Sequence, residues 1–314
     1  MAKRSFVFPG QGSQQVGMGR DMYEKYPAAR DIFDRANKAL GFDITALCFG
    51  GAEEELKKTV NAQPAILTVS VACLAVMRQM GLRPDTAAGH SLGEYTALVA
   101  AGALNFEDAV TLVRLRGQYM QEAVPLGEGG MVAVLGMETG KISDICSGLS
   151  GPDGVVEAVN LNCPGQVVIA GDTRSLEKAV EVLNERGARK CLPLSVSAPF
   201  HSSLMRSAGE KLEASLSRVK IKDPEIPVLS NVTADYHGKT AEIKDLLVKQ
   251  VSSPVRWEEC VRKMIGDGTG IFVEVGPGKV ISGLVRKIDR DVEVKNVEDS
   301  VSLEKILASF GEVS

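Results

Sequence analysis

Short apolar runs alternate with amphipathic stretches along the first part of the chain. The run RSFVF (4–8) predicts a buried strand, and residues 85–104 predict a strand, a tight turn and a helix. Two further stretches, 61–84 and 106–124, carry apolar residues at helical spacing and predict helices, the first with Asn61 as its cap. Strands that alternate with helices in this way favour a mostly parallel α/β sheet.

The pattern changes near residue 128 and changes back near residue 198. Between these points the predicted order is strand, helix, strand, strand, helix, strand, which is typical of a ferredoxin-like unit. Beyond it the chain resumes with helices and two strands, one of them IPVLSNV (226–232). We therefore predict an α/β protein: a large α/β-hydrolase-like domain (1–127 and 198–314) with an inserted ferredoxin-like βαββαβ domain (128–197).

Composition narrows the classes of function. Net charge is −4 at pH 7, which gives no general attraction to nucleic acid or acidic membranes. Six cysteines are scattered without a C-x-x-C pair, so we expect neither a metal site nor disulfides. The longest apolar stretch, 65–77, is shorter than the roughly 20 residues that span a bilayer. These features predict a soluble protein of a reducing cytoplasm.

The stretch AGHSLGEY (88–95) is the strongest chemical signal. Residues Gly89 to Gly93 fit G-x-S-x-G, and they stand between a predicted strand and a predicted helix. Glycines permit a sharp turn that exposes the hydroxyl of Ser91, and the following helix places backbone N–H groups behind it. We predict that Ser91 is a nucleophile; the alternative is a serine that caps a helix.

A serine nucleophile needs a base, and the chain contains three histidines. His90 precedes Ser91 and should point away from it, and His237, in the polar stretch ADYHGK, is predicted to be an exposed turn residue. His201 lies in SAPFHSSLM, just before a predicted helix whose cap is Ser202 or Ser203. The positive end of the helix dipole disfavours imidazolium, so we predict that His201 is the general base. A purely structural histidine is the alternative.

No acid stands in the place that a hydrolase triad requires. The candidates that precede His201, namely Asp153, Asp172 and Glu185, all fall within the predicted small domain. A serine–histidine dyad, with the ring oriented by an amide or a main-chain carbonyl, fits better.

Arg116 lies near the centre of the apolar face of its predicted helix, with no acid on the same stripe. An unpaired buried guanidinium costs several kcal/mol, so we expect something to neutralise it. A carboxylate from elsewhere in the fold, or solvent, would do this. The other possibility is a carboxylate that arrives with the substrate and accepts two parallel hydrogen bonds.

The glycine-rich loop FPGQGSQQVGMG (8–19) follows the first predicted strand, as phosphate-binding loops do. Gln15 replaces the third glycine of G-x-G-x-x-G, and the chain contains no G-x-x-x-x-G-K-[ST]. The loop is therefore a poor candidate for a phosphate cradle.

Taken together, these motifs resemble those of the malonyl-CoA:acyl carrier protein transacylase family of bacterial fatty-acid synthesis and the related acyltransferase domains of polyketide synthases. The resemblance covers nearly the whole chain. Its motifs occur in the family's order: FPGQGSQ (8–14), QPAI (63–66), GHSLGEY (89–95), Arg116, NCPGQVVIAG (162–171), PFHSSLM (199–205), QVSSPVRW (250–257) and EVGPGKV (274–280).

The resemblance implies roles in catalysis. Ser91 would be the acylated nucleophile and His201 its base, and Gln250 would orient the histidine in place of an acid. The backbone N–H groups of Gln11 and Leu92 would form the oxyanion hole, which gives the glycine-rich loop a function.

The resemblance also implies substrate contacts. Arg116 would bind the free carboxylate of a malonyl group, and the ring of Phe200 would fill the space that a branch methyl needs. Met120 would line the same acyl pocket or belong to the core. Gln63 would support the site as an amide.

The implied reaction is a ping-pong transfer of malonyl from a CoA thioester to the phosphopantetheine thiol of acyl carrier protein, without a metal or organic cofactor. No nucleic acid, membrane or obligate partner is expected. A serine hydrolase or thioesterase is an alternative that the sequence leaves open, and a non-catalytic carrier-binding module is another. Arg116 and the missing acid count against the first, and the presence of both Ser91 and His201 counts against the second.

Overall fold

Two four-stranded sheets form the framework of the computed structural model, which describes residues 2–196 and 198–311. One sheet is parallel and the other antiparallel, so the fold is mixed α/β, as predicted.

The parallel sheet has the strand order β2-β1-β7-β8. Its strands are β1 (Lys3–Phe8), β2 (Thr86–Gly89), β7 (Thr269–Val275) and β8 (Glu293–Val297). The four C-terminal residues of β1 and all of β2 are buried, because helices cover both faces of this sheet. The predicted strand RSFVF is confirmed as β1.

The antiparallel sheet has the strand order β4-β5-β3-β6 and is contiguous in sequence. Its strands are β3 (Gly129–Leu135), β4 (Val156–Cys163), β5 (Gln166–Asp172) and β6 (Lys190–Pro193). Helices α8 (Thr139–Leu149) and α9 (Thr173–Glu185) pack on it around a separate cluster of buried apolar residues. All six elements were predicted from the sequence.

Twelve further α-helices of the described chain accompany the parallel sheet. Those before β3 are α1 (Arg20–Lys25), α2 (Pro27–Leu40), α3 (Ile44–Gly50), α4 (Glu53–Lys57), α5 (Thr59–Gln79), α6 (Leu92–Ala100) and α7 (Phe106–Glu122). Those after β6 follow a short 3-10 helix, Ser203–Met205, and are α10 (Arg206–Leu216), α11 (Thr240–Gln250), α12 (Trp257–Gly266), α13 (Val280–Ile288) and α14 (Ser300–Gly311).

Helix α5 is the apolar centre of the larger layer. By length and composition it is the one helix of the described residues that could cross a membrane, but 83% of its apolar window is buried inside the protein. It packs against α2, α6 and α7, which is the environment of a core helix.

Two local predictions are wrong. Asn61 does not cap α5, because the helix already begins at Thr59, and the Asn61 side chain instead donates to the Glu55 carbonyl at 2.9 Å. Residues 226–232 do not form a strand, and they touch the sheet only through an isolated bridge between Val228 and Ala87. Beyond this bridge, Asn231 turns into the interior, where its N–H donates to Glu94 and its side chain donates to the Gly89 carbonyl at the end of β2.

The turn between β2 and α6 requires glycine at Gly93. A Cβ atom at this position would collide with the Phe8 carbonyl oxygen at the end of β1. The first turn of α6 can therefore approach the sheet closely only without a side chain there.

We predict that Gly93→Ala destabilises the protein by about 3 kcal/mol or more, since neither neighbouring backbone can yield. Thermal unfolding measures this effect. Gly140→Ala is the matched control, because a Cβ in α8 at Gly140 meets open space. The control should unfold at the wild-type temperature or above it, and equal behaviour of the two variants would contradict the explanation.

Candidate active site

Ser91 occupies a sharp turn between the end of β2 and the start of α6. Its backbone has φ 52° and ψ −107°, a left-handed conformation that non-glycine residues rarely adopt. The side chain makes no capping hydrogen bond to α6. Strain of this kind persists where the surroundings hold it, and here it presents Oγ to the cleft.

His201 contacts the serine directly. Its Nε2 lies 2.7 Å from Ser91 Oγ, and its Nδ1 lies 2.8 Å from the main-chain carbonyl oxygen of Gln250. A carbonyl only accepts, so Nδ1 carries the ring proton and Nε2 accepts from the Ser91 hydroxyl. His201 also has a positive φ, 65°, so both members of the pair are held in strained conformations.

Burial keeps the ring of His201 neutral. Desolvation, followed by the positive charge of Arg116, lowers its pKa to about 3. The sequence predicted that a helix dipole keeps the ring neutral, but the element after His201 is a 3-10 helix of three residues, and the main causes that lower the pKa are burial and the charge of Arg116. The Ser202 side chain does not cap this 3-10 helix, and donates to the Pro199 carbonyl instead.

Arg116 is buried in the floor of the same cleft. Only 2% of the residue is exposed, and none of the ion pairs in the described part of the chain includes it. Its Nη1 donates to Gln63 Oε1 at 2.7 Å, and its Nη2 donates to Gln250 Oε1 at 3.0 Å and to Ser91 Oγ at 3.1 Å. Burial lowers its pKa. A cation therefore lies beside the serine hydroxyl; neutral acceptors bind its Nη1 and Nη2 groups, and its buried Nε has no hydrogen-bond partner among the described residues.

Gln250 contacts both groups through different atoms. Its main-chain carbonyl accepts from His201, whereas its carboxamide accepts from Arg116 and donates to the Ser91 carbonyl at 3.0 Å. Of the two orienting groups that the sequence left open, an amide or a main-chain carbonyl, the structure has the carbonyl.

The N–H groups of Gln11 and Leu92 engage none of the hydrogen-bond acceptors in the described chain. Leu92 is the first residue of α6, where N–H groups have no intrahelical partner. The Gln11 side chain accepts from Thr59 Oγ1 at 2.6 Å, and Gln11 and Leu92 both line the cleft. A Cβ at Gly10 would lie 2.5 Å from the His90 carbonyl oxygen, so glycine lets this loop approach the turn.

The remaining predicted site residues also line this cleft, which has a volume of about 430 Å³. Phe200 and Met120 are 6% and 2% exposed and contribute apolar wall. Gln63 Nε2 donates to Thr59 Oγ1 at 3.0 Å and lies 3.9 Å from the Met120 sulfur. The structure thus brings together all nine predicted residues.

The walls of the cleft come from both sheets. The loop after β1, the turn at Ser91 and helix α13 face strands β3, β4 and β5. His90 bridges the two sides, since its Nε2 lies 2.8 Å from Asn162 Oδ1 on β4. A larger cavity, about 1000 Å³ between α2 and α5, contains no serine, cysteine or histidine and offers no comparable chemistry.

Three supporting residues were missed or misjudged. Asn231 Oδ1 accepts from Ser91 N at 2.6 Å, and its side-chain amide donates to the Gly89 carbonyl at 2.8 Å. Glu94 is fully buried behind the turn. His237 was predicted to be exposed, but its side chain is completely buried and lies 2.8 Å from Glu94. Only the apolar surroundings of Glu94 in GHSLGEYTALV hinted at this cluster, because an acid there must find buried donors.

Among the described residues, no group of three or more His, Cys, Asp or Glu side chains could hold a metal ion. The cysteines of the described chain form no disulfides. Burial raises the thiol pKa of all six: the buried Cys48, Cys73, Cys146, Cys163 and Cys260, and the half-buried Cys191. Raised thiol pKa values do not favour thiolate chemistry.

Known proteins resemble this chain in both sequence and structure. The family model of the acyl transferase domain matches residues 5–305. The malonyl CoA-acyl carrier protein transacylase of Bacillus subtilis (strain 168) is 49% identical over 312 residues, covering 99% of this chain and 98% of the relative.

Two solved structures are similar over nearly the whole chain. The malonyl CoA-acyl carrier protein transacylase of Clostridium perfringens has a TM-score of 0.96 and 45% identity, with 99% of this chain and 98% of that chain covered. A malonyl-transacylase in complex with a type II polyketide synthase acyl-carrier protein has a TM-score of 0.95 and 41% identity, with 98% and 100% covered. Since the family model and these relatives span almost all of its length, this chain belongs to the acyl transferase domain family.

Proposed function

We propose that this protein is a malonyl-CoA:acyl carrier protein S-malonyltransferase. The observation that carries the proposal is that Ser91 Oγ lies within hydrogen-bond distance of both the neutral ring of His201 and the guanidinium of Arg116, which has no carboxylate partner. A serine and a base alone would suit any acyl group. A buried cation beside the nucleophile suits an acyl group that carries its own carboxylate, and the full-length relatives are named for malonyl transfer.

The first half-reaction forms a malonyl–serine ester. Ser91 Oγ attacks the thioester carbonyl while His201 Nε2 takes its proton, and the N–H groups of Gln11 and Leu92 donate to the developing oxyanion. The tetrahedral intermediate then expels the CoA thiolate, which takes the proton from His201. The Gln250 carbonyl keeps Nδ1 protonated throughout, so the ring always returns to the same tautomer.

The second half-reaction is the reverse with a different thiol. The phosphopantetheine thiol of the carrier protein gives its proton to His201 and attacks the ester, and Ser91 leaves with that proton restored. Every proton and leaving group is accounted for by these residues and the two thiols, so we propose that the reaction needs no metal or organic cofactor. The apolar wall that Phe200 and Met120 contribute to the cleft would disfavour attack by water.

Selectivity for malonyl follows from two contacts. The carboxylate of the substrate would accept charge-assisted hydrogen bonds from Arg116, and Phe200 would occupy the volume next to the acyl α-carbon. Exclusion of one methyl group is worth only about 1–3 kcal/mol, so Phe200 would disfavour a branched unit without excluding it.

We further infer that the antiparallel sheet with α8 and α9 is a ferredoxin-like unit inserted into an α/β-hydrolase-like domain, with boundaries at 128–197. Support comes from the βαββαβ connectivity and from the central position of β3 and β5 in the sheet. The G-x-S-x-G turn between a parallel strand and a helix supports the hydrolase-like description of the larger part. Acting on CoA and carrier-protein thioesters, the enzyme would work in the cytoplasm and supply fatty-acid elongation.

Removal of the nucleophile should abolish the covalent intermediate. After mixing with malonyl-CoA, the wild-type protein should gain the mass of one malonyl group, and Ser91→Ala should gain none. His201→Ala should acylate about 100-fold or more slowly. Intact-mass spectrometry over time measures both. Fast release of free malonate with no adduct would instead indicate a hydrolase.

Loss of the guanidinium should act on the acyl group rather than on thioester chemistry in general. We predict that Arg116→Ala lowers kcat/KM for malonyl-CoA by about 100-fold more than for acetyl-CoA, because only malonyl loses a charge-assisted partner. Arg114→Ala is the matched control, since Arg114 lies on the same helix but stacks on Phe42, 4.2 Å from its ring centre. An equal loss for both substrates in Arg116→Ala would contradict the carboxylate contact.

The lowered pKa of His201 predicts that the acylation rate depends unusually little on pH below neutrality. The base must be neutral to act, and with a pKa of about 3 it stays neutral as pH falls from 7 to 5. The rate constant for CoA release from malonyl-CoA should therefore remain nearly flat over this range. A histidine with the ordinary pKa of about 6.5 would lose about tenfold per pH unit below that value. Stopped-flow acylation, with circular dichroism as a control for folding, separates the two outcomes.

A further inference from the structure

A buried carboxylate lies behind the reactive groups without touching any of them. Glu94 stands one turn after Ser91 on α6 and has no exposed surface. Its Oε2 accepts from Gln250 Nε2 at 2.8 Å and from Asn231 N at 2.9 Å, and its Oε1 lies 2.8 Å from His237 Nε2. Since carboxylates only accept, all three partners are donors, and His237 carries a proton on Nε2.

The carboxamide of Gln250 has two orientations that are equal in shape but opposite in polarity. In the observed one, Oε1 accepts from Arg116 and Nε2 donates to Glu94 and to the Ser91 carbonyl. The reversed orientation would set an NH2 group against the guanidinium and the amide oxygen against both the carboxylate and a carbonyl. One donor–donor contact and two acceptor–acceptor contacts in a buried site are strongly unfavourable. Glu94 therefore acts together with Arg116 and the Ser91 carbonyl to fix the orientation in which Gln250 accepts from Arg116.

We propose that Glu94 is a positioning residue for the carboxylate-binding guanidinium: through the Gln250 carboxamide it holds Arg116 Nη2 beside Ser91 Oγ, where an acyl carboxylate and the nucleophile meet. The inference rests on the proposed malonyl transfer. Glu94 touches neither substrate nor reacting atoms, so it acts on the guanidinium through the Gln250 carboxamide. The main-chain carbonyl of Gln250 keeps His201 in register.

Two conservative variants separate geometry from charge. In Glu94→Gln, the amide oxygen can still accept from Gln250 and Asn231 if its NH2 faces His237, whose ring can accept at Nε2 after moving its proton to Nδ1. In Glu94→Asp, the charge remains, but the shorter side chain cannot reach all three donors. We expect the ratio of kcat/KM for malonyl-CoA to that for acetyl-CoA to stay within about threefold of wild type in Glu94→Gln and to fall about tenfold in Glu94→Asp. A role through charge alone predicts the reverse order and would overturn the proposal.

A double-mutant cycle tests whether the effect passes through Gln250. Gln250→Ala removes the carboxamide but leaves the main-chain carbonyl, so it should itself lower the malonyl-to-acetyl ratio. In that background, Glu94→Asp should cause no further fall in the ratio. If instead Glu94→Asp lowers the ratio by the same factor in the Gln250→Ala background as in the wild type, Glu94 acts by another route.

Glu274→Gln controls for the general cost of altering a buried carboxylate. Glu274 is also fully buried and accepts from backbone N–H groups of Ile281 and Ser282, but it has no bond to the Ser91 network. It should lower the melting temperature without changing the ratio. A change in the ratio as large as that of Glu94→Asp would overturn the assignment to Glu94. Adduct formation by wild type and not by Ser91→Ala tests the proposed function separately, so a failure of either conclusion is recognised by its own measurement.

Discussion

A guanidinium without a carboxylate partner is the constraint around which the site is built. Burying Arg116 carries a large desolvation cost, and the protein offsets it with amide oxygens from α5 and α11 and with the hydroxyl of Ser91 in the turn between β2 and α6. Neutral acceptors bind the Nη1 and Nη2 groups without cancelling the charge. The site thereby keeps a net positive charge for an anionic group, which an internal ion pair would have removed.

The general base, His201, is held by a neutral group in the same way. His201 is oriented by a carbonyl rather than a carboxylate, so its ring gains a fixed tautomer without a neighbouring negative charge that would raise its pKa. Burial and Arg116 act in the same direction and lower that pKa. A carboxylate is present, but it lies one layer further out, at Glu94, where it binds the amide of Gln250 rather than the ring. Replacing the third member of a triad with an amide and a main-chain group is thus part of the same electrostatic arrangement.

Several residues of the site could be predicted from their neighbours in the sequence. The turn at Ser91 could be placed because glycines at fixed positions between a strand and a helix have few other uses. Arg116 could be identified because a charge at the centre of an apolar helical face carries a desolvation cost that something must offset. Asn231, Glu94 and His237 could not be placed, since their partners lie more than 130 residues away and nothing in the local pattern distinguishes a buried polar side chain from an exposed one. His237 shows this directly, because its polar neighbours indicated a surface turn.

By itself, then, the sequence determined the order of strands and helices in the antiparallel layer, the turn that exposes the serine, the likeness to an acyltransferase family and nine residues that meet at the cleft. The tertiary structure decided which atom of Gln250 faces His201, which groups satisfy Arg116 and which buried acid orients them. These contacts join segments distant in the chain, and their hydrogen-bond polarity depends on distances and orientations that only the packed fold defines.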